Sequence, residues 1–330
     1  ASLASAHMPK DTSQRARRDQ SRTSRRRESP VDVGTKRTAA GRLRADRGAD
    51  ITGVLPTVNM FVHRLSSRAA GAVRLWNGEP ARRSTPAPTP ELILFEYEAS
   101  PWCRRVRETL GVLGLAALIK PCPRETLRAE GAFGATSRHR PEAAAAAAEA
   151  GASSRLSFPL LVDRTAGVTL SDSAAICEHL WSLYGGGVER PTLDQALNPR
   201  RRTLLDFPLL AAPSALRPWP EAGLMLAPSE PNQQPLLLYG CEADAGSRLV
   251  REALCCLQLE YRSQPRPLSA PLPALEDPNS GFAAFGARQA LEHLDRTHRT
   301  GEALGWLAPL PSPNLGEARM HPVLARLLGR

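Results

Sequence analysis

The sequence predicts an α/β fold in which two modules of similar design follow each other along the chain. Three observations predict it: an apolar strand leading into a capped helix from residue 92, a strand-turn-strand-helix segment over 157–185, and a weaker second copy of both. A chain of 330 residues with 42% apolar residues can build two small cores. We therefore expect two small domains joined by less regular segments.

Residues 1–90 form a basic leader of different composition. They hold 18 Lys or Arg against 7 Asp or Glu, and since the whole chain carries +10, residues 91–330 are close to neutral. The stretch from Lys10 to Arg47 is rich in Arg and Ser and lacks apolar periodicity, so we predict that it is disordered. Three interpretations stay open: the remnant of an organellar transit peptide, a tail that contacts RNA or anionic lipid, and a solvated tail.

The first module is predicted to begin at residue 91. LILFEY (92–97) has the length and apolar character of a strand, and Ser100 followed by Pro101 is typical of a helix N-terminus. Apolar residues recur at helical spacing after Pro101 and form a core stripe: Val106, Leu110 and Leu113. The pattern therefore places Cys103 in the first turn of a helix, directly after a strand.

Cys103 is the candidate catalytic residue. A thiolate in the first turn is favoured by the positive end of the helix dipole, and Arg104 and Arg105 add positive charge nearby, so the sequence predicts a lowered pKa. The alternative is a half-buried, unreactive cysteine. The residues themselves leave both interpretations open.

The segment 157–185, SFPLLVDRTAGVTLSDSAAICEHLWSLYG, supplies the rest of the module. A proline precedes the strand LLV, a turn and the strand VTL follow, and Ser171 or Asp172 can cap a helix with an apolar face. Strand, helix, strand, insert, proline, hairpin and helix is the order of a thioredoxin-like module. The Ala-rich insert, 129–155, has little to bury, and its Arg138-His139-Arg140 triplet is expected to be a solvated loop or an anion contact.

Four segments together resemble the N-terminal domain of glutathione S-transferases: ASPWCRRVRETL, PCPRE at 121–125, FPLLVD and LSDSAAICEHLWSLYG. The closest resemblance is to tandem proteins of this type from plant and algal plastids and from cyanobacteria, over about 91–185 and more loosely 235–299. The resemblance implies a cis-proline and a glutathione site built by Ser100 and Cys103 together with Phe158, Pro159, Asp172 and Ser173. Glutathione is the cofactor that it implies.

The repeat is visible in the residues alone. A shift of 144 aligns LILFEYEASPWCRRVRETLGVLGL with LLLYGCEADAGSRLVREALCCLQL, and a shift of 114 aligns FPLLVDRTAG with LPALEDPNSG. In the second copy Ser247 replaces Cys103, and Gly286-Ala287 replaces Asp172-Ser173, so we predict a shortened, degenerate module that kept its fold and lost its site. The predicted domains are a leader (1–90), module one (91–187), a Pro-rich linker (188–234), module two (235–300) and a tail (301–330).

The remaining composition argues against several other functions. The cysteines show no CxxC spacing, which predicts no metal site. Only three lysines accompany forty arginines, a bias of composition that leads us to discount individual arginines as functional evidence. The most apolar stretch, 204–228, is broken by charges and prolines and is expected to be a packed linker instead of a transmembrane helix.

Two functions follow from these expectations. The first is a non-catalytic accessory subunit of an organellar assembly, in the plastid and associated with thylakoids, which binds protein partners and whose leader contacts a polyanion. The alternative is a glutathione-binding monothiol redox protein that uses Cys103. A complete glutathione transferase is not expected, because no all-helical C-terminal domain follows the modules.

Overall fold

The computed structural model describes residues 54–75, 77–83, 87–124, 137–151, 156–191, 206–217, 222–224 and 226–300. The predicted disorder over Lys10–Arg47 and the predicted tail, 301–330, lie outside these residues. The helices are α1 (Val54–Val73), α2 (Pro101–Leu113), α3 (Arg140–Glu149), α4 (Ser173–Tyr184), α5 (Asp206–Ala215), α6 (Ala245–Cys256) and α7 (Ala287–His298). The strands are β1 (Leu92–Glu96), β2 (Ala117–Pro121), β3 (Leu160–Asp163), β4 (Val168–Leu170), β5 (Leu236–Gly240), β6 (Tyr261–Pro265), β7 (Ala274–Asp277) and β8 (Phe282–Phe285).

All eight of these strands form one mixed sheet in the order β4-β3-β1-β2-β6-β5-β7-β8. In the first half, β1 is parallel to β2 and antiparallel to β3, which continues into the hairpin strand β4. The two halves meet where β2 pairs antiparallel with β6, so that Ile119 lies opposite Tyr261. The two expected cores are therefore fused through a continuous sheet.

The first half buries both faces of its sheet. Along β1, Leu92 and Leu94 join the large core that α2 and α4 cover, while Ile93 and Phe95 join a smaller cluster under α3. This alternation is the two-residue period of a strand. Helix α3 lies in the Ala-rich insert and buries two of its ten residues, Ala143 and Ala147, in agreement with the expectation that this stretch has little to bury.

The basic triplet before α3 contacts the second half of the molecule. The Arg138 guanidinium donates to the carbonyl oxygens of Gln258 and Ser229, each at 2.8 Å. A ring nitrogen of His139 lies 3.1 Å from the Gln258 carbonyl oxygen. Arg138 and His139 are therefore not part of a solvated loop, because they bind main-chain carbonyls of the second half.

Residues 236–298 have the same order of strands and helices as 92–184, apart from α3. Strand β5, helix α6 and strand β6 each begin 144 residues after β1, α2 and β2, and β7, β8 and α7 each begin 114 residues after β3, β4 and α4. Among the described residues no helix covers the second half on the side where α3 lies in the first. Leu237 and Tyr239 of β5 are consequently only half-buried.

Folded structure begins before residue 91, so the predicted leader boundary is wrong. Helix α1 packs against α5 and α6, and the Ser67 hydroxyl donates to the Ala245 carbonyl oxygen at 3.0 Å. Helix α5, in the predicted linker, packs in turn against α2. Within the described ranges, no helix is long and apolar enough to cross a membrane.

Candidate functional site

Cys103 occupies the predicted position but not the predicted environment. Ser100 caps α2 and accepts a hydrogen bond from the Cys103 backbone N–H at 3.3 Å, which confirms the cap and the start of the helix at Pro101. The Cys103 side chain has no exposed surface. Burial, and after it the charge of Glu96, raises the pKa of the thiol to about 12. The expectation of a lowered pKa is therefore wrong, because desolvation outweighs the helix dipole.

The segment between the two halves covers this end of α2. The Ser214 hydroxyl at the end of α5 donates to the Ala99 carbonyl oxygen at 2.8 Å, and the Ala99 N–H donates to the Gly223 carbonyl oxygen at 3.3 Å. Arg104, expected to lie beside the thiol, instead points its guanidinium at Ser214 and Glu242. The chain thus returns over the loop that a substrate of Cys103 would need to reach.

The other predicted glutathione-binding residues lie at the ends of β3 and α4. The Phe158–Pro159 peptide bond is cis, as the resemblance implies. The Asp172 carboxylate accepts hydrogen bonds from the N–H groups of Ala174 and Ala175, at 3.0 and 2.9 Å, and therefore serves as the cap of α4. Ser173, the first residue of that helix, is buried. Because the Cys103 side chain has no exposed surface, a ligand held by these residues cannot reach its thiol.

The most densely charged part of the molecule is the joint between the halves. We call it the central ion-pair cluster, and its members are Glu96, Glu98, Arg104, Arg107, Glu242, Arg248 and Arg251. Arg107 of the first half reaches Glu242 of the second at 3.1 Å, and Arg251 of the second reaches Glu98 of the first at 3.2 Å. Every member is at least nine-tenths buried. The cluster therefore connects the halves by reciprocal pairs.

The charges of this cluster shift the pKa values of its members. Burial alone would raise the pKa of Glu242, but the four surrounding guanidiniums, led by that of Arg251, hold it below its usual range. Burial raises the pKa of Glu96 above its usual range, because Arg107 compensates it only in part. The Arg107 pKa is raised, since three carboxylates outweigh its desolvation. Four members each pair with two or more others, so their buried charges depend on one another: Glu98, Arg107, Glu242 and Arg251.

Two further ion pairs flank the cluster. Arg74, just after α1, pairs through two nitrogens with Glu108 of α2, and Arg217, just after α5, pairs in the same way with Glu252 of α6. These residues were missed because individual arginines were discounted as functional evidence. The aligned copies contain the missing signal, since Glu98, Arg104, Arg107 and Glu108 each recur 144 residues later.

The second half has a cavity of about 420 Å³ where α1 passes the starts of α6 and α7. Phe61, Arg64, Leu65 and Arg68 of α1 line one side, and the cis-proline Pro273 lines another. Ser247, the counterpart of Cys103, is buried and donates its hydroxyl hydrogen to Asp244 at 2.7 Å. This half therefore offers a binding cavity without a thiol.

Each half also places a histidine against a buried aspartate at the end of its hairpin strand. Asp163 accepts from His179 at 2.9 Å and from the Tyr184 hydroxyl at 2.7 Å. In the second half a ring nitrogen of His293 lies 2.8 Å from Asp277, and one of His298 lies 3.0 Å from it. Asp277, His293 and His298 bring three metal-binding side chains together, which the sequence analysis did not anticipate.

Comparison with known proteins finds a family similarity in the first half. Residues 94–189 match the family model of the glutathione S-transferase N-terminal domain. The first half is therefore similar to a glutathione S-transferase N-terminal domain. The assignment gives the first half a thioredoxin-like fold and is compatible with glutathione binding. No curated protein and no solved structure shows significant similarity to the chain.

Proposed function

We propose that this protein is a non-catalytic binding subunit built from two thioredoxin-like modules, of which the glutathione S-transferase N-terminal domain is the first. The matched element order of residues 236–298 supports the second module. The observation that carries the functional proposal is the Cys103 side chain, which has no exposed surface and a pKa raised to about 12. A nucleophilic thiol needs access and a thiolate at neutral pH, and Cys103 has neither.

The way in which the halves are joined supports the same function. Redox modules of this fold act through an open helix N-terminus, but here the start of α2 lies against the end of α5 and residues 222–224. The buried central ion-pair cluster then fixes the two halves to each other. We infer that the fold has been kept as a rigid two-module body that presents surfaces to partners.

The cavity beside α1 is the surface that best fits a partner. Phe61 and Leu65 are 65% and 59% exposed, and Arg64 and Arg68 next to them are exposed and have no ion-pair partner among the described residues. Large exposed apolar side chains grouped beside unpaired charges mark interaction sites. The occupant that complements them is a protein segment with an apolar side chain and acidic neighbours.

Alkylation of Cys103 in the full chain tests the absence of thiol chemistry. Modification is mapped by mass spectrometry against pH, with and without millimolar glutathione, and the Cys103→Ser variant, which carries the residue of the second half, serves as the control. We expect modification only as the protein unfolds, with no protection by glutathione. Rapid modification near neutral pH with protection by glutathione would instead establish the alternative, a glutathione-binding redox protein.

Charge reversal tests the partner surface. In native extract the wild-type chain should sediment as part of a larger complex, and Arg64→Glu with Arg68→Glu should release it. The matched control is Arg164→Glu, at a side chain that is 57% exposed and belongs to the first half. Equal sedimentation of both variants and the wild type contradicts the proposed surface. The placement in a plastid rests on the leader composition and the resemblance alone, and imaging of a full-length fluorescent fusion tests it.

A further inference from the structure

The second half contains a cluster of side chains that the proposed function does not use. Asp277 ends β7, and His293 and His298 belong to α7, with His298 as the last residue of that helix. Their ligand atoms all lie within 4.8 Å of one another, and all three residues are buried. We propose that Asp277, His293 and His298 form a binding site for a zinc ion.

The donor set and its spacing suit zinc. Two imidazole nitrogens and one carboxylate oxygen are common zinc ligands, and bonds of about 2.0–2.1 Å in tetrahedral geometry place ligand atoms about 3.3 Å apart. The Nε2 atoms of His293 and His298 now lie 2.8 and 3.0 Å from Asp277 Oδ2. Widening these separations by a few tenths of an ångström makes room for the ion. The Ser280 hydroxyl, 2.9 Å from the same oxygen, or a water can complete the coordination.

The surroundings hold the ligands in place. The other carboxylate oxygen of Asp277 accepts from the N–H of Asn279 at 2.9 Å and from its side-chain amide at 2.8 Å. His293 Nδ1 lies 3.3 Å from the Thr297 hydroxyl, and its ring stacks on Phe282 with ring centres 3.8 Å apart. Such outer contacts orient metal ligands and fix the histidine tautomer. Zinc binding through Nε2 requires that each imidazole carry its proton on Nδ1.

The first half provides an internal comparison. There Asp163 and His179 occupy the same positions, but Tyr184 stands where the second half has His298. Burial and the hydrogen bond to Asp163 raise the pKa of Tyr184 to about 12, so its phenol stays neutral and is a poor zinc ligand. The Tyr184 hydroxyl already donates a hydrogen bond to the Asp163 carboxylate. His298 makes one hydrogen bond to its aspartate, as Tyr184 does, but it also brings a nitrogen that can bind a metal. This difference between the halves indicates a metal ligand at His298.

Zinc titration of the full chain tests the site. Protein stripped with a chelator is titrated with zinc in competition with a chromophoric chelator. The wild type is expected to bind one equivalent, which His298→Tyr weakens at least tenfold because it restores the first-half arrangement. His179→Gln, at the corresponding histidine of the first half, is the matched control and should bind zinc as the wild type does.

Two additional measurements exclude coordination by cysteine and allow for a variant that does not fold. Cobalt substitution should give tetrahedral absorption bands without thiolate charge transfer, which excludes coordination by the six cysteines. If His298→Tyr does not fold, His298→Gln, which keeps a hydrogen-bond donor, replaces it. Equal zinc affinity of the wild type and the His298 variant, or no binding by the wild type, overturns the proposal and leaves a hydrogen-bonded cluster. Neither outcome bears on Cys103, so the zinc site and the proposed function fail independently.

Discussion

The two halves of the sheet differ most where their chemistry would lie and least where they meet. The first half has Cys103 at the start of its first helix, and the second has Ser247 at the same position. At the joint, by contrast, Glu98 and Arg107 of the first half face Glu242 and Arg251 of the second as reciprocal pairs. The two halves therefore share the residues that join them and do not share the thiol.

The segments that precede the halves extend the comparison. Helix α1 precedes the first half and packs on α6 of the second, whereas α5 precedes the second half and packs on α2 of the first. Each half is therefore covered by the helix that leads into the other. This exchange covers the loop before α2, where Ser214 and Gly223 contact Ala99, and a cavity of about 420 Å³ lies beside α1.

The largest expected effect comes from breaking the joint. Arg107→Met removes a buried guanidinium that three carboxylates contact, and leaving them uncompensated should cost about 3–5 kcal/mol of unfolding free energy. Arg251→Met should cost about as much, since its pairs are reciprocal. Urea denaturation of the full chain measures both. The exposed control Arg288→Met should change the unfolding free energy by no more than about 0.5 kcal/mol. If Arg107→Met and Arg251→Met also cost only that much, the ion pairs of the joint are not central to stability.

A smaller effect is expected where the backbone passes close to the joint. Gly223 has a φ of +75°, and a Cβ there would lie 2.3 Å from the Glu98 Cβ. Gly223→Ala should therefore cost about 1–3 kcal/mol more than a substitution that meets no neighbour. Gly281→Ala is the matched control, because Gly281 has a φ of +71° and nothing within 4 Å of its added Cβ. Equal urea midpoints for the two variants would show that the close approach is relaxed at no cost.

The smallest expected effect is a pH dependence of stability at one of the two flanking ion pairs. His63 lies beside Arg217, with its Nδ1 3.2 Å from the guanidinium. At the other pair the neighbour is Asn77, which does not titrate and donates to Glu108, the partner of Arg74. Burial and then the charge of Arg217 lower the pKa of His63 from 6.5 to about 3. The folded protein therefore keeps His63 neutral while the unfolded chain protonates it. Stability should fall by about 1 kcal/mol as the pH drops from 6 to 5.

The variant His63→Gln should flatten this dependence between pH 6 and 5, above the range in which ordinary carboxylates titrate. Ser66→Ala removes another partner of Arg217 without removing a titrating group, so it should keep the wild-type slope. Urea midpoints across this pH range measure the difference. An unchanged slope in His63→Gln would assign the acid sensitivity to other groups.

Much of the local structure could be predicted from the residues. The cap at Ser100, the helix start at Pro101 and the β3–β4 hairpin follow from spacing and residue type, because short-range sterics and hydrogen bonds decide them. The cysteine environment could not be predicted in this way. The pKa of Cys103 is set by the burial of its thiol and then by the charge of Glu96, and neither can be read from the pattern of residue types.

The sequence by itself therefore determined the order of the elements, their caps and the register of each copy, because these depend on neighbours along the chain. The tertiary structure alone decided that β2 pairs with β6, that α1 and α5 cover opposite halves, and that forty arginines include the few that hold the joint. The physical reason is desolvation. A buried guanidinium depends on the partners that replace water around it, and in this protein those partners come from distant parts of the chain.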